Sequence, residues 1–272
     1  MRIYKSTEPF VWEGRGDLSS TALLLVHGFT GSPSEFRRAA YYWNDTGYTV
    51  SAVRLPGHGT KPEDMILTGW TDWWGHVLQA YDQLKAQGFE QIVAVGHSMG
   101  GLLSLLLSLE RHLDGVVSLG TPIYVNTRNA VFARYVHRFI KYVAKKPSTY
   151  SSLIREESCA YDRTPVKCVV SLQHLVRKVK KSLHQVKVPL LIVQGLKDQT
   201  VQPRSADYIY HRSNSEIKEV AYFPNTSHAI LLDEERVKVY KQIDRFVQTI
   251  RSGNPKRLEH RIQATGLTEV IT

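Results

Sequence analysis

The sequence predicts an α/β fold: a mainly parallel central sheet flanked by helices, with a smaller segment inserted between two of its strands. Three observations point there. Short aliphatic runs alternate with longer amphipathic stretches, which is the pattern of β-α-β units. The early runs each stop at a glycine, at Gly28, Gly96 and Gly120. The rhythm then breaks once, over residues 123–186, and resumes. A chain of 272 residues, 42% apolar with 18 glycines, has the composition of a globular protein and enough length for one large domain with an insertion.

In chain order, Leu23–Val26 reads as a buried strand, because four large aliphatics without alternation need cover on both faces. A helix follows over 34–45 and a strand over 48–54. Trp70 to Gln87 reads as a long helix, with Thr71 available as a cap and Gly88 where a C′ glycine belongs. Ile92–Val95 is a central strand, 99–112 a helix, and Val116–Leu119 the next strand. From Ile123 to Val186 the pattern is helical, with no strand expected; Val166, Val169, Val170, Val176, Val179 and Leu183 fall near one face. Strand 190–193, helix 203–212 and strand 216–222 follow. A closing helix over 234–251 is expected to bury Val237, Tyr240, Ile243, Val247 and Ile250. Periodicity ends at Gly253, so 253–272 reads as a flexible tail.

Several classes are excluded early. Cys159 and Cys168 cannot build a disulfide scaffold, and no Cys/His spacing suggests zinc, so no metal is expected. The start has no apolar run of a signal peptide and no stretch is long enough to span a bilayer, which together predict a cytoplasmic protein. The formal net charge of +10 prompts a search for nucleic acid. Residues 123–186, however, hold 13 Lys+Arg against 3 Asp+Glu, so the remaining 22 basic and 22 acidic groups balance. No aromatic platform interleaves the basic residues. The expectation is a solvated helix face and no nucleic-acid partner.

The chemistry is concentrated at Gly96-His97-Ser98-Met99-Gly100. This fits G-x-S-x-G between a predicted strand and an apolar helix, the context in which a tight turn lifts the serine hydroxyl out of the sheet edge. At the helix N-terminus the dipole favours developing negative charge. A serine hydroxyl needs a base within hydrogen-bond reach, itself oriented by a carboxylate. Asp198 follows strand 190–193 and His228 follows strand 216–222, both on loops at the carboxyl edge of the sheet. Among 11 histidines the others compare poorly. His97 adjoins the serine and points away along the turn, His58 shapes an early loop, and His174 and His184 lie in the basic segment. Asp233 is the rival acid, but it precedes the closing helix and reads as its N-cap. His27 and Gly28 end the first central strand; Gly28 lets the backbone approach closely, making the Phe29 amide one oxyanion donor and Met99 N–H the other.

On these residues the sequence resembles the α/β-hydrolase family, and within it the bacillar carboxylesterases and bacterial monoacylglycerol lipases. The matching text is Leu25–Gly31, Gly47–Thr49, Gly57–Gly59, Thr68-Gly69 with Asp72–Trp74, Gly96–Gly101, Asp198, Pro203 with Ser205-Ala206, and Ser227-His228. The resemblance implies a hydrolase core over 1–122 and 187–252, with 123–186 as a small basic helical cap above the site. It implies Ser98 as nucleophile, Asp198 as acid, His228 as base, Phe29 and Met99 as oxyanion donors, and no cofactor. The expected activity is hydrolysis of short-to-medium acyl esters through an acyl-enzyme, with a small-molecule ester as partner and a monomer or weak homodimer as the assembly. A monoacylglycerol lipase is the alternative within this chemistry. A non-catalytic ligand-binding protein on the same fold is the alternative outside it, separated by reaction with an organophosphonate.

Overall fold

A computed structural model of the chain describes residues 2–126, 133–145 and 151–253. Its centre is a seven-stranded sheet in the order β1-β3-β2-β4-β5-β8-β9, formed by β1 (Phe10–Trp12), β2 (Thr21–Val26), β3 (Thr49–Val53), β4 (Gln91–His97), β5 (Gly115–Leu119), β8 (Leu190–Gly195) and β9 (Lys218–Phe223). Every neighbouring pair is parallel except β1 with β3. Alternate residues of β2 enter different cores: Leu24 and Val26 pack with Trp73, Leu102 and Leu106, while Leu23 and Leu25 pack with Phe36, Trp43 and Phe246. Both faces are therefore covered, which is why the central strands β2, β4 and β8 read as aliphatic runs.

The first face is covered by α3 (Trp70–Ala86) and α4 (Met99–Glu110), the second by α1 (Ser34–Thr46) and α9 (Arg236–Arg251). Helix α8 (Arg204–Arg212) packs beside β8 and β9, and α2 (Pro62–Met65) is a single turn. Helix α3 starts one residue before the Thr71 cap expected from sequence: Gly69 holds the N-cap position and donates its N–H to Asp72 Oδ2 at 2.8 Å. In α9 the buried face is Val239, Tyr240, Ile243, Phe246 and Val247; Val237, expected inside, is 47% exposed.

The segment between β5 and β8 holds α5 (Ala133–Val136), β6 (Tyr142–Ala144), α6 (Ser152–Glu157), β7 (Arg163–Pro165) and α7 (Val166–Ser182). The expectation of no strand here is wrong: β6 and β7 form an antiparallel pair. Each has three residues, too few to show a period, and β7 ends in proline. Helix α7 buries Val166, Cys168, Leu175 and Val179, so Cys168 and Leu175 take places assigned to Val169, Val170 and Val176. Neither cysteine is in a disulfide; burial pushes the Cys168 thiol up to about 11, and its Sγ donates to Met65 O. The expected tail from 254 onward lies outside the described residues.

Candidate active site

Ser98 is the single residue between β4 and α4. Its backbone adopts φ 54°, ψ −117°, a conformation that costs a non-glycine residue on the order of 1–3 kcal/mol. Its N–H donates to Leu119 O at 2.7 Å, while its carbonyl accepts from Gly101 N and Leu102 N. The turn is pinned to β5 on one side and opens α4 on the other. Tightness two positions on is severe: a Cβ on Gly100 would lie 1.9 Å from Val26 O. Glycine there lets α4 begin directly against the end of β2.

Asp198 and His228 reach the same point from the ends of β8 and β9. Ser98 Oγ lies 3.1 Å from His228 Nε2, and His228 Nδ1 lies 2.7 Å from Asp198 Oδ2. A carboxylate only accepts, so Nδ1 carries the proton and Nε2 is left to accept from the serine. Asp198 is buried, which opposes its charge, but the bond from His228 and the N–H groups of Val201 and Thr200, each 2.8 Å from Oδ1, hold its carboxyl below the ordinary range. Gln194 Nε2 donates to the other oxygen at 3.2 Å.

The loop carrying His228 is braced from α9. Asp233, read from sequence as the cap of that helix, is not its N-cap: α9 starts at Arg236, and Glu235 precedes it. Asp233 Oδ2 instead accepts from Ser227 N at 2.7 Å and from Ser227 Oγ. Glu235 Oε2 accepts from Asn225 N and Thr226 Oγ1. A helix boundary two residues later than expected frees both carboxylates to hold the loop.

The loop after β2 passes close to Ser98. A Cβ on Gly28 would lie 3.2 Å from Ser98 Cβ and 3.3 Å from His97 Nδ1. Gly28 N donates to Glu35 Oε2 at 2.9 Å, so this amide is already committed. The Phe29 and Met99 amides have no protein acceptor among the described residues. His27 is buried and pushed down by burial; its Nε2 accepts from Leu55 N at 3.1 Å, so Nδ1–H donates to Gly28 O at 2.9 Å. His58 is also buried, pushed down to about 3 chiefly by burial, and packs edge-on to Trp73 and Phe29. Its Nδ1 lies 3.1 Å from Pro56 O, within its own loop.

Two groups beside the relay were not assigned a part from sequence. Glu35, in the first turn of α1, is held at about 2: burial opposes its charge, but His97, His27 and the Gly28 amide outweigh it. His97 Nδ1 lies 2.8 Å from Glu35 Oε2, and Nε2 lies 2.8 Å from His228 O. Burial would lower His97, yet Glu35 and the His228 carbonyl raise it above the ordinary histidine range. Its position next to Ser98 was the only sequence signal. The partner 62 residues earlier carried none.

The inserted segment attaches to the loop after β2. Tyr161 N donates to Thr30 O, Lys145 Nζ to Thr30 Oγ1, Ser32 Oγ to Cys159 O, and Arg38 Nε to Glu157 Oε2. Among the described residues no group of three or more His, Cys, Asp or Glu is arranged to hold a metal, and no helix is long and apolar enough to cross a membrane.

Comparison with known proteins gives relatives over most of the chain. A family profile described as serine aminopeptidase, S33, matches residues 19–235. A carboxylesterase of Bacillus subtilis is 32% identical over 246 residues, covering 89% of this chain and 97% of that protein. A thermostable monoacylglycerol lipase of Bacillus sp. strain H-257 is also 32% identical, covering 88% and 94%. The fold superposes with TM-score 0.82 and 26% identity on a structure described with two metagenome-derived lipolytic enzymes, covering 91% of this chain and 98% of that one.

Proposed function

Because the chain belongs to the α/β-hydrolase family whose profile is described as serine aminopeptidase, S33, we propose that it is a serine hydrolase of carboxylic esters. One observation carries the reading: Ser98 Oγ, His228 and Asp198 form a continuous hydrogen-bonded relay at the carboxyl edge of the sheet. In this reading His228 Nε2 takes the Ser98 proton as Oγ attacks the ester carbonyl. The Phe29 and Met99 amides receive the oxyanion, and Asp198 compensates the charge that forms on His228. His228 then returns the proton to the leaving alcohol, and water repeats the sequence on the acyl-enzyme. No step calls for a metal or cofactor.

The proposed substrates are short-to-medium acyl esters; the name of the Bacillus subtilis relative, carboxylesterase, supports ester hydrolysis. Monoacylglycerol is the second reading. It is favoured by an equally similar relative of that name and by Phe139, 87% exposed on the inserted segment, an apolar side chain that the sequence pattern did not mark as surface. The test is kcat/KM for nitrophenyl esters from C2 to C12 beside a monoacylglycerol. Ser98→Ala is expected to lower kcat by roughly 10⁶. An Ala variant retaining more than about 1% of activity overturns the role of Ser98, and peak activity on long chains with monoacylglycerol preferred reverses the substrate order.

A further inference from the structure

We propose that Glu35 and His97 are positioning residues for acyl transfer, fastening the oxyanion loop and the His228 loop to the turn that carries Ser98. The proposal rests on the Ser98–His228 reading above. Three segments far apart in the chain meet here. Gly28 N–H and His97 Nδ1–H converge on the same oxygen, Glu35 Oε2, at 2.9 and 2.8 Å. On the other side of the ring, His97 Nε2–H donates to the carbonyl of His228 at 2.8 Å. A continuous line therefore runs from the backbone just before Phe29, through Glu35 and His97, to the backbone of the base.

Proton bookkeeping gives the pair its specificity. Glu35 Oε2 and the His228 carbonyl are both acceptors, so His97 satisfies both only as an imidazolium, with Glu35 as its counter-charge. A neutral ring has one N–H and must release one of the two links. Glu35 thus decides whether the backbone of the base is held. It also commits the Gly28 amide, whereas the next amide, that of Phe29, has no protein acceptor among the described residues. A buried ion pair is a poor source of stability compared with well-packed apolar side chains. Its location between the two loops that must be held at sub-ångström tolerance matches a geometric role.

The test compares Glu35→Gln, His97→Asn and the double variant in the purified full chain, by kcat and KM on a nitrophenyl ester. Thermal unfolding and near-ultraviolet circular dichroism serve as folding controls. Glu35→Gln keeps the side-chain shape, so it carries the test if an alanine variant fails to fold. The expected result is a fall in kcat of about tenfold or more in each single variant, with KM within about threefold. The double variant is expected to be no worse than the worse single, because either change breaks the same line. Folded single variants whose kcat falls by less than about fivefold overturn the proposal. So do losses confined to KM, or losses that multiply in the double variant. Ser98→Ala in the same assay keeps the two readings apart: its persistence in activity overturns the relay, whereas near-wild-type pair variants beside an inactive Ser98→Ala overturn only the pair.

Discussion

Replacing Asp198 by asparagine changes one atom and tests the orientation of the whole relay. Asp198 Oδ1 accepts from Thr200 N and Val201 N, each at 2.8 Å, so an asparagine must keep its oxygen there to avoid two unsatisfied buried amides. Its NH₂ then takes the place of Oδ2, 2.7 Å from His228 Nδ1. It donates to Nδ1, moves the ring proton to Nε2, and leaves a hydrogen pointing at Ser98 Oγ where a lone pair is required. The group also faces the Gln194 amide donor, 3.2 Å from that position, so one buried hydrogen bond is lost. The wrong tautomer costs about 10⁴ in kcat in serine proteases, equivalent to about 5 kcal/mol in barrier. The lost bond costs about 1–3 kcal/mol of stability. Steady-state kinetics on a nitrophenyl ester give the first number and denaturant unfolding the second. A folded Asp198→Asn enzyme whose kcat falls less than about a hundredfold refutes the tautomer argument.

The rival acid is tested by the same assay: Asp233→Asn, which weakens the clasp on Ser227, is expected to keep kcat within about tenfold, and a loss matching that of Asp198→Asn would move the acid role to Asp233. Gly28→Ala adds a Cβ 3.2 Å from that of Ser98, a contact relieved by a shift of a few tenths of an ångström, so kcat is expected to fall by about tenfold to a hundredfold with little change in Tm; unchanged kcat would mean the loop is not held against Ser98. Glu35 is depressed from 4.5 to about 2, so it contributes stability that is complete above 4.5 and lost as pH falls toward 2. The stability gap between wild type and Glu35→Gln is therefore expected to narrow on acidification from about pH 6 to about pH 3, as followed by urea unfolding; a constant gap would show that Glu35 is not held as an anion.

The relay was legible because its three members sit where short strands end. β4 and β8 are marked by aliphatic runs and β9 by a shorter Val-Ala-Tyr-Phe stretch, and each is followed within a few residues by Ser98, Asp198 or His228. What the sequence hid has a common cause in partners that are distant or elements that are short. β1 is a three-residue edge strand whose role is set by antiparallel pairing with β3, 38 residues or more downstream. The β6–β7 pair spans too few residues to show alternation. Val237 and Val239 are chemically identical, and only the angular register fixed by Tyr240 and Ile243 decides that Val239 is inside. Glu35 reads as an ordinary first-turn acid, favourable to the α1 dipole. Only the fold turns its carboxylate back onto Gly28 and His97.

The place of the inserted segment follows from one topological fact. It leaves the sheet at the carboxyl end of β5 and returns before β8, the two strands nearest β4 on that side. A chain departing there emerges beside Ser98, because Ser98 N is bonded to Leu119 O at the end of β5. Some of its polar contacts with the core then fall at Thr30 and Ser32 of the loop after β2 and at Arg38 of α1, within ten residues of the Phe29 amide, and others fall at Gly57, Glu63 and Trp70. Of the segment's three acids, Glu157 is spent on Arg38 of the core, while Arg163 takes the core carboxylate of Glu63. Lys178 and Lys180 are laid over core aromatic rings, Trp70 and Tyr208, rather than against carboxylates. The segment is joined to the core by these two ion pairs, by hydrogen bonds and aromatic faces, and by the buried apolar face of α7. Lys167, Arg177, Lys178 and Lys181 are exposed on α7. The same segment is hydrogen-bonded at Thr30 and Ser32 to the loop that bears the proposed oxyanion donor, so a change in the segment at Tyr161 or Lys145 reaches the residue next to Phe29 through a direct bond.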